Sequence, residues 1–225
     1  VTEQEWLESG DPVAMLTHLG GQRRPSRTKA GKRRLRLFAC ACLRRQWDLI
    51  GRPQVRDGVV VCERYADGLV TSEELWAAVQ FTSDLDYSQA PEDMGLILAL
   101  LYAAQASVTE ATLRRLVVDA ATAYCQSITF EENIPFDSPE WLAETRAQAD
   151  LLREVFGNPF RPPARRTLSP DLRSLAQVCY DGDAAAFPLL ADALDDLGEA
   201  GAAAHCRRAG HVKGCHVVDW ALGKL

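Results

Sequence analysis

An all-α fold is predicted for this sequence: a multi-helix bundle followed by a smaller helical C-terminal part. Three observations predict it. Alanine and leucine fill the apolar positions while aromatic residues make up only 8% of the chain, a composition that favours helix over strand. Helix-start signals of the Ser/Thr-x-x-Glu type recur ahead of apolar stretches, at Thr2–Glu5, Thr71–Glu74 and Ser107–Glu110. No stretch of six residues alternates apolar and polar with β-branched weight, so no more than one short hairpin is expected. The 225 residues, 47% hydrophobic, suit one large domain or two small ones. The expected organisation is a main bundle over 1–157, a proline-rich linker over 158–170 and a helical subdomain over 171–225 packed on the bundle.

In chain order, the Thr2–Glu5 capping box opens a short helix with Trp6 and Leu7 facing inward. Asp11 caps a second helix, with Pro12 at its first position and Gly20-Gly21 as its stop. QRRPSRTKAG, residues 22–31, is basic, holds Pro and Gly, and reads as an exposed, mobile loop. The central element is KRRLRLFACACLRRQWDLIG, residues 32–51. From Leu37 to Leu43 it has no polar side chain except two thiols, and a helix apolar on every side is enclosed by others. Further helices are expected over about 54–66, with Val55, Val59 and Cys62 inward, and from Thr71, with Leu75, Trp76 and Val79 inward. A loop is expected from Ser83 to Ala90, and Pro91-Glu92-Asp93 is read as the first turn of the apolar helix that follows. Ser107–Glu110 divides that stretch from a helix running to about Ser127. Ser138-Pro139-Glu140 starts one that Gly157 ends, with Trp141, Leu142, Ala149 and Leu152 on its face. NPFRPPARRTLSP, with four prolines, cannot be helical through its middle. Three or four shorter helices should follow, at about 170–180, 188–197, 199–208 and 214–222.

No window holds eighteen apolar residues, so no membrane span is expected. The opening VTEQEWLESGDP has neither the basic start nor the apolar core of a secretory signal. Seven cysteines at irregular spacing, most of them inside apolar helical text, resemble buried thiols rather than a disulfide framework, which points to the cytoplasm. The net charge of −6 is unevenly distributed: between Gly21 and Arg56 twelve Lys or Arg face Asp48 alone. A basic segment on an acidic body suits an acidic protein partner, a nucleic acid, or the body itself.

Several stretches carry a resemblance: TEQEWLESGDPVAML, KRRLRLFACACLRRQW, ERYADG, LLREVFGNPFRP, LLADALDDLG and HVKGCHVVDWALGK. The chain is similar over most of its length to a large paralogous family of uncharacterised bacterial all-helical proteins, with a TExEWL start, an LFACxC core and an HVxGC end. The resemblance implies no activity. This chain departs from the pattern in a longer and more basic loop over 20–31, and in His216, where an aromatic residue is usual.

Two groups of residues are candidates for function. Arg23, Arg24, Arg27, Lys29, Lys32, Arg33, Arg34 and Arg36 would contact an acidic partner or phosphates. Against nucleic acid stands a pI near 5.3; against any partner stands self-pairing with acids such as Glu3, Glu5 and Glu8. The second group is the run His205-Cys206, His211, Cys215-His216. Zinc takes His nitrogen and Cys sulfur, and Cys206, His211, Cys215 and His216 are the candidate ligands. Adjacent residues splay to different sides, however, and there is no Cys-x2-Cys knuckle. The competing reading has Cys206 and Cys215 as packing thiols and His211 at a helix end. Cys40 and Cys42, two apart on a helix, point about 200° apart and cannot chelate together. His18 stands alone. The acid pairs Glu73-Glu74, Glu131-Glu132 and Asp195-Asp196 are adjacent rather than convergent. With no phosphate loop, GxGxxG, HExxH or GxSxG, no catalytic residue is expected. A non-enzymatic interaction or adaptor module is the preferred reading. Nucleic-acid binding through residues 22–36 and zinc binding in the C-terminal cluster are the alternatives, zinc being the one cofactor considered.

Overall fold

A computed structural model describes residues 1–84, 94–105, 107–129, 131, 133–164 and 166–225. Among them are twelve α-helices and no strand: α1 Glu3–Glu8, α2 Pro12–Gln22, α3 Lys29–Arg45, α4 Pro53–Ala66, α5 Ser72–Val79, α6 Met94–Ala104, α7 Glu110–Thr129, α8 Pro139–Phe156, α9 Pro170–Tyr180, α10 Ala186–Asp196, α11 Ala200–Cys206 and α12 His216–Ala221. The all-α expectation holds. No helix among the described residues is long and apolar enough to cross a membrane. The expected helix start at Pro91-Glu92-Asp93, and the loop before it beyond Asp84, lie outside the described residues.

The chain divides into two compact units, Val1–Leu152 and Arg153–Leu225. The proline-rich stretch read as a linker therefore falls inside the second unit, together with the last turn of α8. The first unit carries sixteen Lys and Arg against twenty-two Asp and Glu; the second carries nine of each.

The first unit is organised around α3, which packs against α4, α6 and α7. From Leu35 to Leu43 no residue is more than 4% exposed, so the helix is enclosed on all sides, as its all-round apolar sequence requires. Capping boxes at Thr2/Glu5 and Thr71/Glu74 are both present. At the head of α7 the cap is Thr109 rather than Ser107: its Oγ1 accepts the Thr112 amide at 3.1 Å. Helix α2 continues through Gly20-Gly21 to Gln22, because Gly20 is where α2 meets the Glu110 side chain of α7. Leu7, Trp76 and Leu142, read as inward, are more than half exposed: α1 and α5 are short, and each buries a narrower face than its apolar residues would cover. Trp141 instead takes the inward position on α8, packed with Ala121 and Cys125 of α7.

In the second unit α9 packs on α10 and α12, and α11 on α10 and α12. Its core includes Leu172, Ala176, Phe187, Leu190, Leu194, Cys206, Cys215 and Val218.

Candidate functional site

The eight basic candidates do not form one patch. Arg23, Arg24, Arg27 and Lys29 are exposed, and Lys32, Arg33 and Arg34 are half-buried. Arg36 is only 4% exposed. Its Nε donates to the carbonyl of Ala103 at 2.9 Å, its Nη2 donates to the carbonyl of Gln105, and its guanidinium lies 4.5 Å above the Tyr65 ring centre. Arg33 pairs with Asp67 at 3.2 Å, both side chains about nine-tenths covered. Arg33 and Arg36 therefore hold α3 to its neighbours.

The segment expected to be a mobile loop is a tethered turn. Residues Pro25–Arg27 form one 3-10 turn, and α3 begins directly after it, capped by Thr28. Pro25 is buried, and the Ser26 amide donates to Glu110 Oε1 at 3.0 Å. Gly31 lies so close beneath the turn that an added Cβ would come within 2.1 Å of the Pro25 carbonyl oxygen. Arg24 takes a left-handed conformation, φ 44°, which costs a non-glycine residue strain that surrounding contacts must hold. Arg23, Arg24, Arg27 and Lys29 are thus exposed on and beside an anchored backbone turn.

In the second unit four side chains converge. Glu154 comes from the last turn of α8, His205 from α11, His211 from the connection after α11, and Cys215 from the position just before α12. Their donor atoms all lie within 4.8 Å of one another. His211 Nδ1 is 2.9 Å from Glu154 Oε1 and His205 Nε2 is 3.1 Å from Oε2. His205 Nε2 also lies 3.3 Å from Cys215 Sγ. Exposure is low: 12% for the Glu154 side chain, 10% for His205 and 6% for His211. Burial pushes the Glu154 carboxyl up, but the hydrogen bonds and charge of His205 and His211 outweigh it and hold the group well below the usual carboxylate range. Burial, then the nearby Glu154 charge, raises the Cys215 thiol well above its usual range.

Of the four ligand candidates read from the sequence, His211 and Cys215 enter this cluster and Cys206 and His216 do not contribute donors to it. The Cys206 thiol belongs to the apolar core, and burial first pushes it up to about 12; its carbonyl oxygen, 3.3 Å from His211 Nε2, is what faces the cluster. His216 Nδ1 lies 2.9 Å from the backbone oxygen of Glu154, and its ring meets that of His205 edge-on, centroids 4.3 Å apart. Adjacent residues do splay apart, so each pair sends one member inward. Glu154 was missed because it stands far from the histidines in the chain. The available signal was its position: an acid in the last turn before the Gly157 stop opposes the helix dipole and needs a positive neighbour.

No protein-family model, curated protein or solved structure matches this chain.

Proposed function

We propose that the protein is a non-enzymatic interaction module that docks an acidic protein surface through the turn bearing Arg23, Arg24, Arg27 and Lys29. The observation that carries this reading is the tethering of the turn. Four exposed cations are held on a backbone anchored by buried Pro25, by the Ser26–Glu110 hydrogen bond and by the close approach of Gly31. A pre-organised contact loses less freedom on binding than a mobile one. An acidic protein is favoured over nucleic acid because, outside residues 21–56, the first unit has four bases against twenty-one acids. That acidic surround opposes the long reach of a polyanion, while a short acidic patch meets only the turn. The reading places the protein in the cytoplasm, where its seven unpaired cysteines stay reduced.

The triple variant R23E/R24E/R27E tests it. Fluorescence anisotropy with an acidic peptide should show binding that weakens with salt, and a loss on the order of tenfold or more in the variant, from three surface ionic contacts. The unfolding midpoint should stay within error of wild type. A steep salt dependence for duplex DNA, with no response to the acidic peptide, would replace this reading with nucleic-acid binding.

A further inference from the structure

We propose that Glu154, His205, His211 and Cys215 form a closed tetrahedral zinc site that holds the second unit together. One carboxylate, two imidazoles and one thiol make a donor set that zinc accepts and that hard, oxygen-seeking magnesium and calcium do not. Zinc bond lengths of about 2.0–2.3 Å place tetrahedral ligand atoms about 3.3–3.6 Å apart. The contacts of 2.9 and 3.1 Å, to the two oxygens of Glu154, and of 3.3 Å to Cys215 lie at or just inside that range. All four donor atoms fall within 4.8 Å of one another, so the shortest pairs open and the widest close as the ion enters.

The surroundings set the ligand atoms. His211 Nε2 faces the carbonyl oxygen of Cys206, which can only accept, so Nε2 carries the proton. In the neutral ring the lone pair is then on Nδ1, aimed at the Glu154 carboxylate. Lone pair against carboxylate is repulsive unless a positive charge sits between them, either a second ring proton or a cation. Phe187, stacked on the ring at 4.0 Å and 12°, holds its plane. On the far side, the carbonyl of Glu154 engages His216, whose ring edge supports His205. That ring occupies the space above Gly157, where a Cβ would come within 2.7 Å of it. Cys206 and His216 are positioning residues rather than ligands.

An ion here would tie the end of α8 to α11, the connection after it and the start of α12. A unit of about seventy residues is in the size range where a structural metal commonly supplements a small core. Four protein donors leave no open position, which is the form of a structural rather than a catalytic zinc centre. Binding releases the Cys215 thiol proton to solvent as the sulfur becomes a thiolate ligand.

Cobalt(II) added to the metal-free full chain tests the geometry. The expected result is an intense visible spectrum of tetrahedral cobalt with a sulfur-to-cobalt band, saturating at unit stoichiometry and abolished by one equivalent of zinc. C215S should lose the sulfur band and C206S should keep it. A weakly absorbing octahedral product, or a sulfur band lost in C206S and kept in C215S, would overturn the proposal. Should C215S fail to fold, wild-type protein decides: removing zinc with a chelator should speed amide exchange in α11 and α12 and leave α3 unchanged. Equal exchange with and without zinc overturns it.

Discussion

At the residue scale, the thiols and Gly31 give the sharpest expectations. All seven cysteines are buried and free, and burial first raises the Cys125 and Cys179 thiols to about 11 and Cys206 to about 12. Alkylation requires the thiolate. In native protein at pH 8 these three should label far more slowly than in urea, where all seven should react; mass spectrometry of the alkylated chain reads the difference. Gly31→Ala places a methyl group into the Pro25 carbonyl, and forced overpacking of this kind costs about 1–3 kcal/mol. The loss should appear as a lower urea midpoint, with weaker acidic-peptide binding as the turn shifts.

Individual helices set the next level. Helix α3 owes its place to an enclosed apolar middle and to one buried cation. Phe38→Ala should destabilise the protein by about 3–5 kcal/mol, since Phe38 is fully buried among α3's neighbours. Arg36→Met keeps the stem and leaves the Ala103 and Gln105 carbonyls without their donor, a cost of about 1–3 kcal/mol. On α8, burial pushes the Glu144 carboxyl up, against the opposing pull of Arg45 and Gln148. Its folded value therefore lies above its unfolded one. The contribution from its protonation is complete below the unfolded value and is lost as pH rises through the folded one. Glu144→Gln should remove that dependence, so the urea midpoint of wild type should fall relative to that of the variant as pH climbs just above the ordinary carboxylate range.

The elements of α3 and α4 were legible in the sequence because their signals are local. An apolar run of seven residues and a proline at the first helical position each act within a turn or two. The turn at Pro25 was misjudged because its anchors, Glu110 and Gly31, act through space. The ligand set was half legible for the same reason. His211 and Cys215 stand in a visible cluster, whereas Glu154 joins it only once α8 has delivered its last turn there.

At the scale of the whole molecule, charge and shape divide at the same place. The acidic excess lies entirely in Val1–Leu152, while Arg153–Leu225 balances nine bases with nine acids. Dissolved ions will therefore distinguish the two halves. Where like charges crowd, raising ionic strength from about 0.01 to 0.15 M shortens the reach of their repulsion from roughly 30 to 8 Å and firms the structure; where the tally is even, the same change finds little net self-repulsion to relieve.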